Sequence, residues 1–189
     1  MTRDRFEGLV FLAAFAACIP AANWLIGNVG TTCIPNGPCL IPVAPGGVSA
    51  PSGVLMVGFA LVLRDLVQRR LGSRWALAAI AAGTALSASL APPALVLASA
   101  AAFLLSELAD FGIYTPLQRR GLVLAVAASS VVGLAVDSIV FLLLAFGSLS
   151  YLPGQVVGKL WAVALVLPAV AWLRNRDARR ASDTAIVGA

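Results

Sequence analysis

The sequence has no histidine and few charged residues, and both shortages limit what the protein can be. Of its 189 residues, 11% are charged and 60% are hydrophobic, with a mean hydropathy of +0.96. A soluble domain carries about 25% charged residues. A soluble core of this length could not bury so much apolar surface, so the composition predicts an integral membrane protein with one compact helical domain.

The missing histidines also exclude several kinds of catalysis. No Ser-His-Asp set can form, and the three cysteines do not stand with acidic residues as in a metal site. No glycine-rich phosphate loop follows a strand. Asp110 and Asp137 lack the Gly-rich motifs of intramembrane aspartyl proteases. We therefore expect no enzymatic activity, no cofactor and no metal.

Lysine and arginine are absent from every second connection between the apolar runs, namely 27–50, 91–93 and 147–153. The net charge of +5 comes from basic residues at the opposite ends of those runs. In membrane proteins this bias marks the cytoplasmic side. It favours six spans with both termini in the cytoplasm, and it explains the positive charge without nucleic-acid binding.

Six apolar stretches approach the length that a membrane-spanning helix needs, about 20 residues. We expect an all-α membrane protein, with one bundle of six transmembrane helices over 1–173 and a short basic and polar cytoplasmic tail over 174–189. From residue 177 the tail should be disordered. The predicted spans are 9–26, 51–66, 75–90, 94–114, 122–146 and 153–173.

The one long connection, 27–50, is rich in proline and glycine and contains no charged residue. Such a segment is either a lid over a cavity or a solvated connector. On the outer side of the membrane, Cys33 and Cys39 meet an oxidising environment. They form either a small disulfide around 35–38 or two free thiols.

Four ionisable residues lie inside the predicted spans, where a charge costs at least about 2.5–3.5 kcal/mol. They are Glu107, Asp110, Asp137 and Lys159. Asp137 and Lys159 form the natural ion pair, but one cation cannot neutralise three carboxylates. Either a carboxyl is protonated, or water and a donor-rich ligand enter. Alternatively, buried pairs only pin the bundle together, which requires Arg64 to reach one of the acids. We expect Arg64 and Asp65 to form a gating pair at the cytoplasmic end of the second helix.

Helical spacings of three, four and seven place the polar residues on common faces, which we expect to meet in one cavity between helices four, five and six. Carboxylates, amides and aromatic rings in one cavity suit a flat, polar small molecule that is rich in hydrogen-bond donors. Transport is therefore the favoured class of function. The candidate substrate-binding residues are Asn23, Ser106, Glu107, Asp110, Tyr114, Asp137, Phe141, Gln155, Lys159 and Trp161.

A series of short motifs between residues 51 and 168 resembles the queuosine precursor transporter family, also called the VUT or vitamin-uptake-like family. The motifs are Arg64-Asp65-Leu66-Val67-Gln68, Ser106-Glu107-Leu108-Ala109-Asp110 with Ile113-Tyr114, Ala128-Ser129-Ser130, Asp137-Ser138-Ile139-Val140-Phe141 with Ala145-Phe146, Gln155-Val156-Val157-Gly158-Lys159, and Pro168. The resemblance implies a six-helix fold related to the substrate-binding subunits of vitamin importers. It also implies uptake of 7-deazaguanine bases, the precursors of queuosine in tRNA, across the bacterial plasma (inner) membrane.

A 7-deazaguanine substrate would give the candidate residues distinct roles. A carboxylate, from Glu107 or Asp137, would accept the adjacent N1–H and exocyclic amine. Lys159 or Gln155 would donate to the ring carbonyl, and Asp110 would serve orientation or proton exchange. The aromatic rings available for stacking are Phe103, Tyr114, Phe141 and Trp161.

The alternative function is a substrate-capture subunit for a vitamin-like small molecule that works with a partner ATPase importer complex. A third class is a structural membrane protein whose carboxylates are dispensable. The expected partners are a nucleobase-like small molecule and the lipid bilayer, with no nucleic acid. A homodimer and an energising partner both stay open.

Overall fold

The computed structural model describes residues 2–35 and 38–187, and α-helices account for most of them. The helices are α1 (Arg3–Asn28), α2 (Val54–Leu71), α3 (Ser73–Leu90), α4 (Val96–Leu117, after a 3₁₀ turn at Pro93–Leu95), α5 (Leu122–Phe146) and α6 (Leu152–Val187). Within the described residues, four helices are long and apolar enough to cross a membrane, namely α1, α4, α5 and α6. The expectation of a helical membrane protein is therefore confirmed. α2 and α3 have 18 residues each, and a six-span arrangement stays a prediction.

The predicted helix ends agree best with the structure for α5. The fifth predicted span covers residues 122–146, and α5 begins and ends at the same residues. α2 continues beyond residue 66 to Leu71, so its polar residues lie inside the helix and not at its end. The tail was predicted to be disordered from residue 177. That prediction was wrong for residues 177–187, because α6 continues to Val187. No proline or glycine follows Pro168 before residue 188 to stop that helix. Residues 188–189 lie outside the described residues.

A small antiparallel sheet occupies the connection between α1 and α2, so the fold is not all-α as predicted. Its strands pair in sequence order and are β1 (Thr32–Cys33), β2 (Cys39–Ala44) and β3 (Val48–Pro51). Cys33 and Cys39 are opposite each other on β1 and β2 and form a disulfide. Gly46 and Gly47 adopt positive φ angles of 81° and 80°, which suit them to the turn between β2 and β3. Residues 36–37, inside the disulfide loop, lie outside the described residues.

Two side-chain hydrogen bonds tie this sheet segment to the helices. The Ser52 hydroxyl donates to the carbonyl oxygen of Leu25 at 2.7 Å, near the end of α1. The Trp161 indole N–H, on α6, donates to the carbonyl oxygen of Val43 at 3.1 Å. The sheet therefore covers the end of the bundle where α1 finishes and α2 and α6 begin. We call this the sheet end, and the opposite end, which carries the arginines, the basic end.

α2 is the central helix and contacts each of the other five helices. It approaches α6 closely at Gly58, where a Cβ atom would lie 2.7 Å from the Ala162 Cβ and from the Lys159 carbonyl oxygen. Because α2 is surrounded, the five consecutive residues from Arg64 to Gln68 are all buried. This position puts a charged motif into the middle of the molecule.

Ion pairs fasten three helices together at the basic end. Arg70 on α2 contacts Glu7 on α1 at 3.0 Å and Asp177 on α6 at 2.9 Å. Arg176 contacts Glu7 at 2.6 Å, and Arg69 contacts Asp177 at 2.8 Å. Burial raises the pKa of Asp177, but hydrogen bonds from Arg70 and Arg69 and their charges outweigh it and lower the pKa to about 2. These contacts hold the part of α6 that extends past the apolar segment.

Candidate functional site

A cavity of about 100 Å³ lies within the bundle near the sheet end. Its walls come from all six helices and not only from helices four to six, as the sequence had suggested. The candidate residues that line it are Asn23, Ser106, Glu107, Asp137, Phe141 and Gln155. The remaining four candidates, Asp110, Tyr114, Lys159 and Trp161, lie outside this lining.

Glu107 forms the floor of the cavity, as the lining residue of α4 that lies furthest from the sheet end. Its Oε2 atom accepts a hydrogen bond from the Arg64 Nε at 3.1 Å, and only 2% of the residue is exposed. A buried carboxylate needs such a partner, because the membrane interior offers no water to solvate it. Glu107 is thus both a wall of the cavity and an anchor for Arg64.

Arg64 lies at the centre of a buried cluster of charges, with no part of its side chain exposed. Besides Glu107, it contacts Asp65 through Nη1 at 2.9 Å and Asp110 through Nη2. Nη1 also donates to the Gln68 Oε1 at 3.1 Å. The expected position of Arg64 and Asp65 at a helix end was wrong, because α2 continues for seven residues beyond Arg64.

Lys159 on α6 supplies the second buried cation, next to two residues of the cavity lining. Its Nζ donates to the Asp137 Oδ2 at 2.6 Å, the Ser138 hydroxyl at 2.8 Å and the Gln155 Oε1 at 2.5 Å. The expected Asp137–Lys159 ion pair is thus present. These contacts use all three ammonium donors. Lys159 therefore orients Asp137 and Gln155, which line the cavity.

Tyr114 and Trp161 are both far from stacking positions in the cavity. Tyr114 is fully buried in the core, with its ring centroid 5.8 Å from the Arg64 Cζ, and its hydroxyl has no hydrogen-bond partner among the described residues. Trp161 is 57% exposed on the outside of the bundle and bonds to the sheet. The aromatic rings that line the cavity are those of Phe103 and Phe141.

Two of the polar lining residues are satisfied by their own helices. The Asn23 side-chain amide donates to the carbonyl oxygen of Ile19 at 2.9 Å, and the Ser106 hydroxyl donates to that of Phe103 at 3.1 Å. Such bonds within a helix are usual for polar residues surrounded by apolar ones. They leave the carboxylates of Glu107 and Asp137 as the strongest acceptors in the cavity wall.

The apolar wall that α1 and α2 contribute to the cavity was not predicted. It includes Cys18, Ile19, Ala22, Met56, Val57 and Ala60. In a helix that is apolar all round, the residues facing a cavity look like those facing lipid. Cys18 is a buried free thiol that lines the cavity.

The cavity is suited to binding a ligand, because the carboxylates of Glu107 and Asp137 lie in a largely apolar wall. Among the described residues, no group of three or more cysteine or acidic side chains is placed to hold a metal ion. The acids are instead bound to Arg64 and Lys159.

Residues 85–173 match the model of a family described as "Putative vitamin uptake transporter". The resemblance to the VUT family is confirmed. The matched segment includes Glu107, Asp137 and Gln155, three of the polar residues of the cavity wall. The VUT match supports a transporter role in a multi-pass membrane protein, rather than an enzyme. Neither a curated protein nor a solved structure matches the chain.

Proposed function

We propose that this protein imports queuosine precursors for tRNA modification. The substrates would be 7-deazaguanine bases, such as 7-cyano- or 7-aminomethyl-7-deazaguanine, or queuine. The membrane is the bacterial plasma membrane, crossed six times, with both termini in the cytoplasm. The bias of arginine towards the basic end supports this orientation, which turns the disulfide-bonded sheet outward.

The observation that carries the proposal is the pair of acceptors in the cavity. Glu107 and Asp137 each use one carboxylate oxygen for a buried cation. The other oxygen of each accepts no hydrogen bond from a described side chain. A 7-deazaguanine presents N1–H and an exocyclic amine side by side, and such adjacent donors suit acceptors of this kind.

The other features of a 7-deazaguanine also have partners in the wall. Gln155 has its Oε1 held by Lys159, which leaves its Nε2 donor for the ring carbonyl. Phe103 and Phe141 offer apolar faces to the flat ring. In this assignment Lys159 acts through Gln155 and Asp137 and does not touch the base, whereas Tyr114 and Trp161 have no stacking role.

The test is binding of radiolabelled 7-cyano-7-deazaguanine to the purified protein, with Glu107→Gln and Asp137→Asn variants. Each replacement turns a carboxylate, which only accepts hydrogen bonds, into an amide. The NH₂ group of that amide can then face an N–H donor of the base. A lost hydrogen bond to a charged group is worth about 1.5–3 kcal/mol, so affinity should fall about 10- to 100-fold. Asp4→Asn, the same change as Asp137→Asn but at an exposed acid, is the matched control and should bind normally. Unchanged affinity in both cavity variants would overturn the proposal.

The second candidate function uses the same cavity but assigns it a different ligand and a partner complex. The description of the matching family names vitamin uptake, which favours a vitamin-like ligand. In this candidate the protein captures that ligand for a partner ATPase importer complex. Competition of the labelled base by guanine and by a panel of vitamins identifies the ligand class. Uptake into liposomes containing only this protein separates the two candidates, because a capture subunit alone would bind its ligand without transporting it.

A further inference from the structure

The buried charges of the bundle do not cancel. Arg64 contacts three carboxylates, those of Asp65, Glu107 and Asp110, whereas Lys159 contacts one. With every group ionised, two positive charges would face four negative charges in the interior. Uncompensated charge at this depth of a membrane is costly. Bound protons would remove the excess, and the geometry identifies where one would lie.

Asp65 and Asp110 are the carboxyl groups best placed to share a proton. Both are fully buried, and they contact the Arg64 guanidinium through its two terminal nitrogens, Nη1 and Nη2. The Ser129 hydroxyl donates to the Asp65 Oδ2 at 2.8 Å. The Asp110 Oδ2 is buried without a hydrogen-bond partner among the described residues. Two adjacent carboxylates do not both ionise readily, and an oxygen without a donor is the natural place for a proton.

The groups that surround the Asp65–Asp110 pair leave it short of positive charge. They are Arg64 on α2, Glu107 and Tyr114 on α4, and Ser129 on α5, with Arg69 beyond Tyr114. Beyond Glu107 stand Cys18 on α1, Asp137 on α5 and Lys159 on α6. Arg64, which contacts both acids of the pair, also contacts Glu107, and Arg69 is paired with Asp177.

We propose that the Asp65–Asp110 pair is a proton-binding site and that the protein imports its substrate together with a proton. This inference rests on the import function proposed above. On the outer side, a proton from water forms an O–H bond with a carboxylate oxygen of the pair. On the cytoplasmic side, that O–H bond breaks and the proton returns to water. With a neutral base, each cycle moves one positive charge inward and needs no oxidant or reductant.

Arg64 provides the coupling between substrate and proton. Its Nε contacts Glu107 on the cavity floor, while Nη1 and Nη2 contact Asp65 and Asp110. A proton on the pair removes one of its two negative charges, so more of the positive charge of Arg64 is left for Glu107. A neutral base can then bind beside a better compensated carboxylate. Loss of the proton draws the guanidinium back to the pair and weakens the substrate site.

A line of polar side chains leads from the pair towards the basic end. The Gln68 Oε1 accepts a hydrogen bond from Arg64 at 3.1 Å. The Gln68 Nε2 donates to the Thr115 hydroxyl at 3.0 Å. Tyr114, beside Thr115, keeps its buried hydroxyl without a partner among the described residues. These groups mark a route by which water can collect the proton when the inner side opens.

The transport test uses the full chain reconstituted in liposomes with radiolabelled 7-cyano-7-deazaguanine. With acid outside, the wild-type protein should accumulate the base above its external concentration, and a protonophore should abolish that accumulation. Asp110→Asn and Asp65→Asn should lose accumulation while still exchanging internal for external base without a gradient. Asp4→Asn, the same change at an exposed acid, should accumulate normally. Gradient-independent uptake by the wild-type protein overturns the proton coupling and leaves the import function intact, whereas failure of both binding and exchange overturns the import function.

A second measurement tests the proton site without any substrate. Infrared difference spectroscopy of the wild-type protein should detect the carbonyl stretch of a protonated carboxyl group at neutral pH. That band should disappear or shift in Asp110→Asn and Asp65→Asn and persist in Asp4→Asn. A wild-type spectrum without the band overturns the site, whatever the variants do.

Discussion

Arg64 on α2 and Glu107 on α4 link the floor of the cavity to the charged interior of the bundle, with the Nε and Oε2 atoms 3.1 Å apart. The same guanidinium contacts Asp65 and Asp110, so one side chain contacts three acids on two helices. A buried ion pair adds little compared with an apolar pair of the same shape, but losing one partner is expensive. The bundle therefore depends on Arg64 more than on any single acid of the cluster.

Replacing Arg64 by glutamine should strongly destabilise the protein. The three carboxylates would keep their burial and lose their cation, and breaking a buried pair costs about 3–5 kcal/mol. Arg64→Lys should lose less stability, because lysine keeps the positive charge. It should still lose some, because lysine lacks the planar guanidinium that contacts three carboxylates. Thermal unfolding in detergent measures both. Arg119→Gln, at an exposed arginine, is the control, and equal melting temperatures for the two glutamine variants would contradict the prediction.

The role of Arg64 shows where sequence reasoning succeeded and where it failed. The Asp137–Lys159 pair was predictable, because a lone cation and a carboxylate on consecutive apolar helices have few other partners. Arg64 was assigned to a helix end, because the polar run from Arg64 to Arg70 reads as the end of an apolar span. Only packing reveals that α2 continues through that run surrounded by the other helices.

The sheet and the outward-facing Trp161 were missed for a different physical reason. The strands have two, six and four residues and are interrupted by proline and glycine, so no alternation of apolar and polar residues is visible. Trp161 shares a helix with Gln155 and Lys159, but α6 is apolar on most sides. Its cavity and lipid faces differ little in composition, so the indole could not be assigned to either.

Gly58 should tolerate a larger side chain much less well than Gly112. A Cβ atom at Gly58 would collide with Ala162 and with the backbone of Lys159, whereas nothing lies within 4 Å of one at Gly112. Gly58→Val should cost about 1–3 kcal/mol, because overpacking pushes α2 and α6 apart. Gly112→Ala should leave stability unchanged or raise it by up to about 1 kcal/mol. Thermal unfolding of the two variants side by side tests this, and a stable Gly58→Val variant would refute the close packing.

Asp177 should hold the extended part of α6 in a pH-dependent way. Its pKa in the folded protein is lowered to about 2, from a usual value of 3.8. A lowered carboxyl pKa stabilises the folded form above the unfolded pKa, and the stabilisation is lost as the pH falls through the folded pKa. Spin labels at positions 73 and 182 should therefore move apart as the pH falls from about 4 to 2, and at neutral pH in Asp177→Asn. Asp4→Asn should keep the neutral distance, and a wild-type distance in Asp177→Asn would refute the role of this acid.

The Asp137–Lys159 pair offers a way to separate stability from substrate recognition. Lys159→Met alone should lower stability by about 3–5 kcal/mol, because it leaves the Asp137 carboxylate buried without its cation. Asp137→Asn in the same chain should restore most of that loss, since removing both charges of a buried pair is nearly neutral. Binding of 7-cyano-7-deazaguanine should not recover, because the double variant lacks one of the two acceptors in the cavity. The test is to measure melting temperature and affinity on the wild-type protein and on these two variants. If stability and binding both recover in the double variant, Asp137 only balances the charge of Lys159. If neither recovers, the ion pair also positions the helices.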